Sequence, residues 1–109
     1  MPEASSQPSF SLGQIVQHLR YGYRGVIVGW DPRCQAEDEW YEAQMRGKAY
    51  RPTKDQPWYH VLVHQATHTT YVAQQNLAPD PSLAPVEHPQ LLRFFSSFFE
   101  GRYHREALN

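Results

Sequence analysis

The sequence predicts a small all-β domain, an antiparallel barrel with one short inserted helix and a C-terminal helix. Three observations lead to this fold class. Short runs of strand-forming residues recur between residues 14 and 77, turn signals separate them, and only one stretch among them has helical character. The 109 residues supply apolar surface for a single core.

The strands are predicted from short apolar runs and the turns that bound them. Residues 14–18 have β-branched residues between polar ones and predict a first strand. Residues 25–30 are apolar and end at Asp31 and Pro32, which indicates a central strand, since proline has no backbone N–H for a ladder. Residues 58–64 and 69–73 flank a short polar segment and predict a hairpin, and residues 75–77 lead into a final strand or turn.

A short helix is predicted between the second and third strands, over residues 36–46. Acidic side chains crowd its first turn, where the helix dipole favours them, Trp40 and Ala43 lie near one side, and Gly47 ends it. A basic-rich stretch follows, in which Pro52 and Pro57 favour a loop. Its cations are Arg46, Lys48, Arg51 and Lys54.

The two ends of the chain differ from its middle. Residues 1–9 are small and polar and predict a disordered tail, so the barrel is expected over residues 10–78. Prolines crowd residues 79–89 and predict an extended connector without regular structure across residues 78–87. From Pro89 to Gly101 apolar residues recur at helical spacing, which predicts a C-terminal helix packed on the barrel within residues 79–109.

Charge and cysteine content limit the function classes. Ten basic against eleven acidic residues give a net charge of -1, so any DNA affinity needs a local basic patch. The lone Cys34 excludes an intramolecular disulfide and favours a reducing compartment. No apolar run approaches the ~20 residues of a membrane span, and the first residues lack a signal-peptide pattern. We expect a cytoplasmic protein without a membrane partner.

Candidate catalytic and metal-binding residues are few. His60, His64 and His68 recur every four residues, a spacing that would suit a metal site on a helix, but in strand-like sequence it spreads them apart, so they are interpreted as exposed polar residues. If His60 and His64 share an outward face, they would contribute to a pH-sensitive binding surface. Cys34 lies beside Arg33, yet no Cys-His-Asn order accompanies it. The sequence therefore predicts no metal site, no cofactor and no catalytic residue.

A basic patch is the candidate DNA-binding surface. Its cations can contact phosphates while nearby rings stack on bases, although nothing in the pattern indicates how a base sequence would be read. The alternative is an ordinary solvated loop. The candidate DNA-binding residues are Arg20, Arg24, Lys48, Arg51 and Lys54, with Tyr21, Tyr23, Tyr50 or Trp58 nearby. The acidic group Glu37, Asp38, Glu39 and Glu42 is interpreted as a solvated helix face or a site for a basic partner, and it repels DNA.

Aromatic residues supply the candidate protein-binding surface. Phe94, Phe95, Phe98 and Phe99 are expected to close the core, and the part of this face left exposed would form an oligomer or partner interface. The candidate partner-binding residues are Trp58, Tyr71, Phe95 and Phe99.

Five phrases in a fixed order resemble the YccV/HspQ family, whose domain is labelled hemimethylated-DNA-binding. They are GQIVQH at residues 13–18, GYRGVI at 22–27, WDP at 30–32, WYHVLV at 58–63 and TYVAQQNL at 70–77. The segment at residues 88–95, with 101–103 after it, looks more like the version at the end of certain eukaryotic F-box proteins. The resemblance covers roughly residues 10–78.

The resemblance implies an SH3-like barrel without catalytic activity. It also implies one of two roles: binding hemimethylated DNA, or acting as a heat-shock adaptor that helps a protease recognise its substrates. Homo-oligomers, trimers in the bacterial relatives, are a further implication. The two roles predict different behaviour, because DNA binding depends on salt and on Lys48, Arg51 and Lys54, whereas an adaptor surface depends on Trp58, Tyr71 or exposed phenylalanines.

Overall fold

A five-stranded antiparallel sheet dominates the computed structural model, which describes residues 7–48 and 51–105. Its strands are β1 (Ile15–His18), β2 (Arg24–Asp31), β3 (Trp58–Val63), β4 (Thr69–Ala73) and β5 (Leu77–Pro79). They lie in the order β4-β3-β2-β1-β5, so β2 is central and β4 and β5 are the edges. The predicted all-β fold class is confirmed, and so is the predicted hairpin of β3 and β4.

The inserted helix is also confirmed, as α1 (Asp38–Met45). Gly47 follows it with a φ of 77°, a left-handed conformation that ends a helix and that glycine adopts without a Cβ penalty. The predicted stacking residue Tyr50 lies outside the described residues. In the part of the chain that the structure describes, no helix is long and apolar enough to cross a membrane.

Both faces of the sheet are covered, and each carries its own apolar cluster. Successive strand residues point to opposite faces, so the neighbours Ile15 and Val16 belong to different clusters. On one face lie Phe10, Val16, Ile27, Tyr59, Val61, Val72 and Leu77. On the other lie Ile15, Val26, Leu62, Val86, Phe95 and Tyr103.

The segment before β1 is attached to the first of these clusters. The Tyr59 hydroxyl accepts the backbone N–H of Ser9 at 3.0 Å and that of Phe10 at 3.3 Å, and burial raises the pKa of this hydroxyl. Of the tail predicted over residues 1–9, residues 1–6 lie outside the described residues.

The C-terminal region is where the predicted elements and the structure differ most. A helix does begin after Pro89, but α2 (Leu91–Phe94) is one turn long, and the chain then forms a hairpin of β6 (Ser97–Phe99) and β7 (Arg102–His104). Glu100 and Gly101 both have positive φ, at 55° and 72°, as the two-residue turn of a type I′ hairpin requires. The predicted continuation of the helix to Gly101 is wrong.

The proline-rich connector was also predicted to begin too early. Ala78 and Pro79 belong to β5, which pairs with β1 on one side only. A proline is tolerated there because an edge strand needs no donor on its open side. Further along the connector, Val86 is buried, and its N–H and carbonyl oxygen both bond the Tyr103 hydroxyl, at 2.9 and 3.0 Å.

Candidate functional site

A groove of about 760 Å³ lies along the edge strand β4 and is the candidate functional site. All five residues of β4 line it, together with side chains of α1 and of the turn after β1. Its volume falls in the range of pockets that hold small ligands, ~300–1,000 Å³. Within residues 7–48 and 51–105, β4 pairs with β3 alone, so the backbone groups on its other side have no strand partner there.

One end of the groove, here the tryptophan end, is built from three mutually contacting rings. The Trp58 ring centre lies 6.3 Å from that of Trp40 and 5.3 Å from that of Tyr71, and the Trp40 and Tyr71 centres are 5.8 Å apart. Trp58 is 1% exposed and its Nε1–H donates to the Thr53 carbonyl oxygen at 3.1 Å. Trp58 is therefore the floor of this end, and the half-buried Trp40 and Tyr71 are its walls.

Hydrogen bonds fix the orientation of Tyr71. Its hydroxyl donates to Asp31 Oδ2 at 2.6 Å and accepts the Gln35 N–H at 3.0 Å. Burial, followed by the bond to the Asp31 carboxylate, raises the pKa of Tyr71 far above its ordinary value, so the phenol stays neutral. His60 completes this group, with Nε2 at 3.4 Å from Asp31 Oδ2.

The other end of the groove, here the histidine end, centres on the buried His18. Its ring centre lies 4.6 Å from that of Tyr21 and 5.0 Å from that of Tyr23. Its Nδ1 accepts the backbone N–H groups of Arg20 and Tyr21, both at 3.1 Å. The Lys48 ammonium lies 5.5 Å from the Tyr21 ring centre, so aromatic and cationic groups adjoin here.

Burial of His18 predicts a loss of stability in mild acid. Desolvation, with the charges of Lys48 and Arg20, lowers the pKa of His18 below 6.5. In the window between the lowered pKa and 6.5, the unfolded chain takes up a proton that the folded chain refuses, so stability falls as pH falls. Urea unfolding at a series of pH values should show this slope, and His18→Asn, which keeps an acceptor near the Nδ1 position, should flatten it.

Lys48→Gln is the companion variant for this measurement. Removing the Lys48 charge removes one cause of the lowered pKa of His18, while burial still lowers it. The loss of stability in mild acid should therefore be smaller than in the wild type. Equal pH slopes for the wild type and His18→Asn would contradict the assignment to His18.

The structure does not gather the five candidate DNA-binding residues into one free basic patch. Lys54 Nζ lies 2.6 Å from Asp38 Oδ1, Arg51 pairs with Glu42, and Arg24 Nε lies 3.0 Å from Asp80 Oδ2. The acidic side chains of α1 thus neutralise Arg51 and Lys54. The two candidates that line the groove are Arg20 and Lys48, both at the histidine end.

The four candidate partner-binding residues fall on two separate surfaces. Trp58 and Tyr71 belong to the groove, whereas Phe95 is buried in the second core cluster. Phe99 is 53% exposed on the C-terminal hairpin, where its ring stacks on His104 with centres 3.8 Å apart.

The regularly spaced histidines and Cys34 make different contacts. His60 lines the groove, His64 Nδ1 accepts the Glu87 N–H at 2.9 Å, and Cys34 is buried beside Trp58 and Ala73. Over residues 7–48 and 51–105, no three His, Cys, Asp or Glu side chains are placed to hold a metal ion.

Among the groove residues that the sequence did not predict as site residues are His18, Trp40 and Asn76. Trp40 carried a signal, because a tryptophan on a short helix with a low share of apolar residues needs an apolar surface to cover it. His18 and Asn76 carried none, since both look like ordinary polar residues at the ends of strands.

Comparison with known proteins gives consistent matches. The family model described as "Hemimethylated DNA-binding protein YccV like" matches residues 8–102. F-box only protein 21 from Pongo abelii and from Homo sapiens are each 38% identical to the chain over 94 residues, and the protein from Mus musculus is 37% identical. The alignments cover 86% of this chain and 15% of each relative, so the chain spans about 15% of their length.

Proposed function

The chain belongs to the YccV-like family, and we propose that it is a non-catalytic module that binds DNA, with a preference for hemimethylated sites, at the histidine end of its groove. Membership in this family supports a binding module, and the family description supports DNA as the ligand. The observation that carries the location is the juxtaposition of Lys48, Arg20 and the exposed Tyr21 ring beside His18.

Cations beside exposed rings suit a nucleic-acid strand. Tyr21 is 62% exposed, and Lys48 lies over its ring. Proteins that hold single strands combine such a charged groove with aromatic rings on which bases stack. Each phosphate neutralised by a lysine or arginine releases counterions, so binding of this kind weakens steeply as salt rises.

The carboxylates of α1 oppose DNA binding at the neighbouring loop. Asp38 and Glu42 form ion pairs with Lys54 and Arg51, and their negative charges repel phosphates. Ion pairs between exposed side chains contribute little to stability, so the loss of these pairs leaves the fold intact. The double variant Asp38→Asn with Glu42→Gln should therefore fold normally and bind DNA more tightly than the wild type.

Fluorescence anisotropy with one GATC duplex tests the proposal. The duplex is prepared unmethylated, hemimethylated and fully methylated, and each form is titrated at two salt concentrations. We expect tightest binding to the hemimethylated form, weakening with salt, and Lys48→Gln should weaken all three forms and lower the salt slope by about one. Arg102→Gln, on the C-terminal hairpin, is the matched control and should bind like the wild type. Absence of binding even at low salt would reject the DNA proposal.

Recognition of a partner protein is the second candidate function, and the open edge of β4 favours it. An extended peptide can add a strand to such an edge, with its side chains in the adjoining groove. Binding of this kind would depend weakly on salt and strongly on Trp40 and Tyr71 at the tryptophan end. A more specific version of this second function is that of an adaptor that helps a protease recognise its substrates.

A further inference from the structure

Two polar side chains at the histidine end of the groove are buried, and each has a polar group without a hydrogen bond to the described residues. His18 is 5% exposed and Asn76 is 9% exposed, and both line the groove. They are neighbours, because the Asn76 carbonyl oxygen accepts the Leu19 N–H at 2.8 Å and His18 pairs with Leu77 across β1 and β5. Buried polar groups are nearly always hydrogen-bonded, so two neighbouring side chains that each leave a polar group unbonded need an explanation.

The unpaired atoms face the groove rather than the core. In the described part of the chain, neither His18 Nε2 nor the Asn76 carboxamide bonds another protein group, while no unpartnered side-chain N or O atom is completely enclosed. These atoms therefore keep access to solvent, and the groove is the opening that both residues line. A ligand in the groove reaches them directly.

The bonds to His18 decide what the pair offers to a ligand. Since Nδ1 accepts two backbone N–H groups, the neutral ring carries its proton on Nε2, which is then a donor. The Asn76 carboxamide adds a donor and an acceptor side by side. A ligand that matches the pair therefore has an acceptor next to a donor, for the Asn76 carboxamide, and a further acceptor nearby for the His18 Nε2–H.

We propose that His18 and Asn76 bind the edge of an unpaired adenine base. The Asn76 carboxamide would make a bidentate pair with adenine N7 and N6. The Nε2–H of His18 would donate to a further acceptor of the base. The rings of Tyr21 and Tyr23, which lie beside His18, would flank the plane of the base. In duplex DNA the base would have to leave the stack. This inference rests on the proposed DNA binding and adds to it which part of the nucleotide is read.

The charges around the pair favour a nucleotide over a peptide group. A peptide amide could also bond the Asn76 carboxamide, but it would leave the Lys48 ammonium without a counterion. Lys48 lies 5.5 Å from the Tyr21 ring and close enough to lower the pKa of His18, so a phosphate can meet it while the base lies against the tyrosine rings.

Titration with a single nucleotide isolates this subsite from duplex binding. Nuclear magnetic resonance would follow the side-chain NH2 of Asn76 and the ring N–H of His18 while 2′-deoxyadenosine 5′-monophosphate is added. Both signals should shift. The matched control is deoxyribose 5-phosphate, which has no base and should shift Lys48 without shifting Asn76.

Asn76→Ala should lower the affinity for this nucleotide about tenfold to a hundredfold, the discrimination that a bidentate base contact provides. The variant should fold, because the Asn76 side chain bonds no described group, and Asn76→Ser is the substitute if it does not. Gln44→Ala removes a carboxamide from the α1 side of the same groove and should leave the affinity unchanged.

Each outcome distinguishes this inference from the proposed function. Nucleotide titration without a shift at Asn76 and His18, or with equal affinity in Asn76→Ala, overturns the adenine subsite even if the duplex still binds. A shift with the nucleotide but no duplex binding supports the subsite and rejects the DNA proposal. Shifts with N-acetylasparagine amide but not with the nucleotide overturn the adenine assignment in favour of a peptide ligand.

Discussion

Trp58→Ala is expected to lower the free energy of unfolding by about 3–5 kcal/mol, the usual loss when a fully buried large ring is truncated. Trp58 is 1% exposed and contacts the rings of Trp40, Tyr41 and Tyr71. Its Nε1–H bonds the Thr53 carbonyl oxygen, which would lose its partner. Because the free energy of unfolding of a small domain is only about 5–15 kcal/mol, this variant should unfold at a much lower urea concentration than the wild type.

Trp30→Ala is the control for this measurement. Trp30 is 37% exposed on β2, so its removal leaves no comparable cavity and should cost about 1 kcal/mol or less. A similar midpoint for the two variants would show that Trp58 is not the floor of the groove. Trp58→Ala is therefore unsuitable for testing ligand binding, because weaker binding would reflect a damaged fold. Tyr71→Phe is the better variant for that purpose, because it removes only a hydroxyl.

The sheet and α1 were predictable because their signals are local. The apolar run before Asp31 and Pro32 forms the central strand β2. The acidic first turn and Gly47 mark the two ends of α1, whose range Asp38–Met45 lies within the predicted residues 36–46. In each case the residues that determine the element lie within it or beside it, so no knowledge of tertiary contacts was needed.

The C-terminal hairpin was not predictable from spacing, because the same phenylalanines suit both a helix and a hairpin. Phe95 leaves the helix in an extended conformation, and Phe98 pairs with Tyr103 across the hairpin with ring centres 4.7 Å apart. What decides between the two is the sheet face that must be covered, where Phe95 and Tyr103 pack with Ile15 and Leu62. The turn at Glu100 and Gly101 was the one local signal.

The site was less predictable still, because its geometry depends on contacts between distant segments. The sequence shows a basic loop, but only the fold places Lys54 against Asp38, 16 residues earlier. Likewise His18 and Asn76 become neighbours through the pairing of β1 with β5. Composition reveals which charges exist, whereas the fold determines which of them remain available to a ligand.

Gly13→Ala is expected to cost about 3–5 kcal/mol, because backbone strain and a backbone clash add at one position. Gly13 has a φ of 87°, and a Cβ there would lie 2.0 Å from the Tyr103 carbonyl oxygen. Its N–H donates to the Ile27 oxygen and its own oxygen accepts the Tyr103 N–H, both at 2.9 Å, so Gly13 joins β2 to β7. A side chain at this point must therefore push the C-terminal hairpin off the sheet.

Gly22→Ala separates strain from clash in this prediction. Gly22 has a similar φ of 78°, but a Cβ there would meet no atom within 4 Å, so only the left-handed backbone opposes the substitution, at about 1–2 kcal/mol. In urea unfolding, Gly13→Ala should be much less stable than Gly22→Ala. Hydrogen exchange at the Tyr103 N–H should accelerate only in Gly13→Ala. Equal losses in the two variants would mean that the hairpin moves aside without cost, and that its attachment through Gly13 contributes little to the stability of the domain.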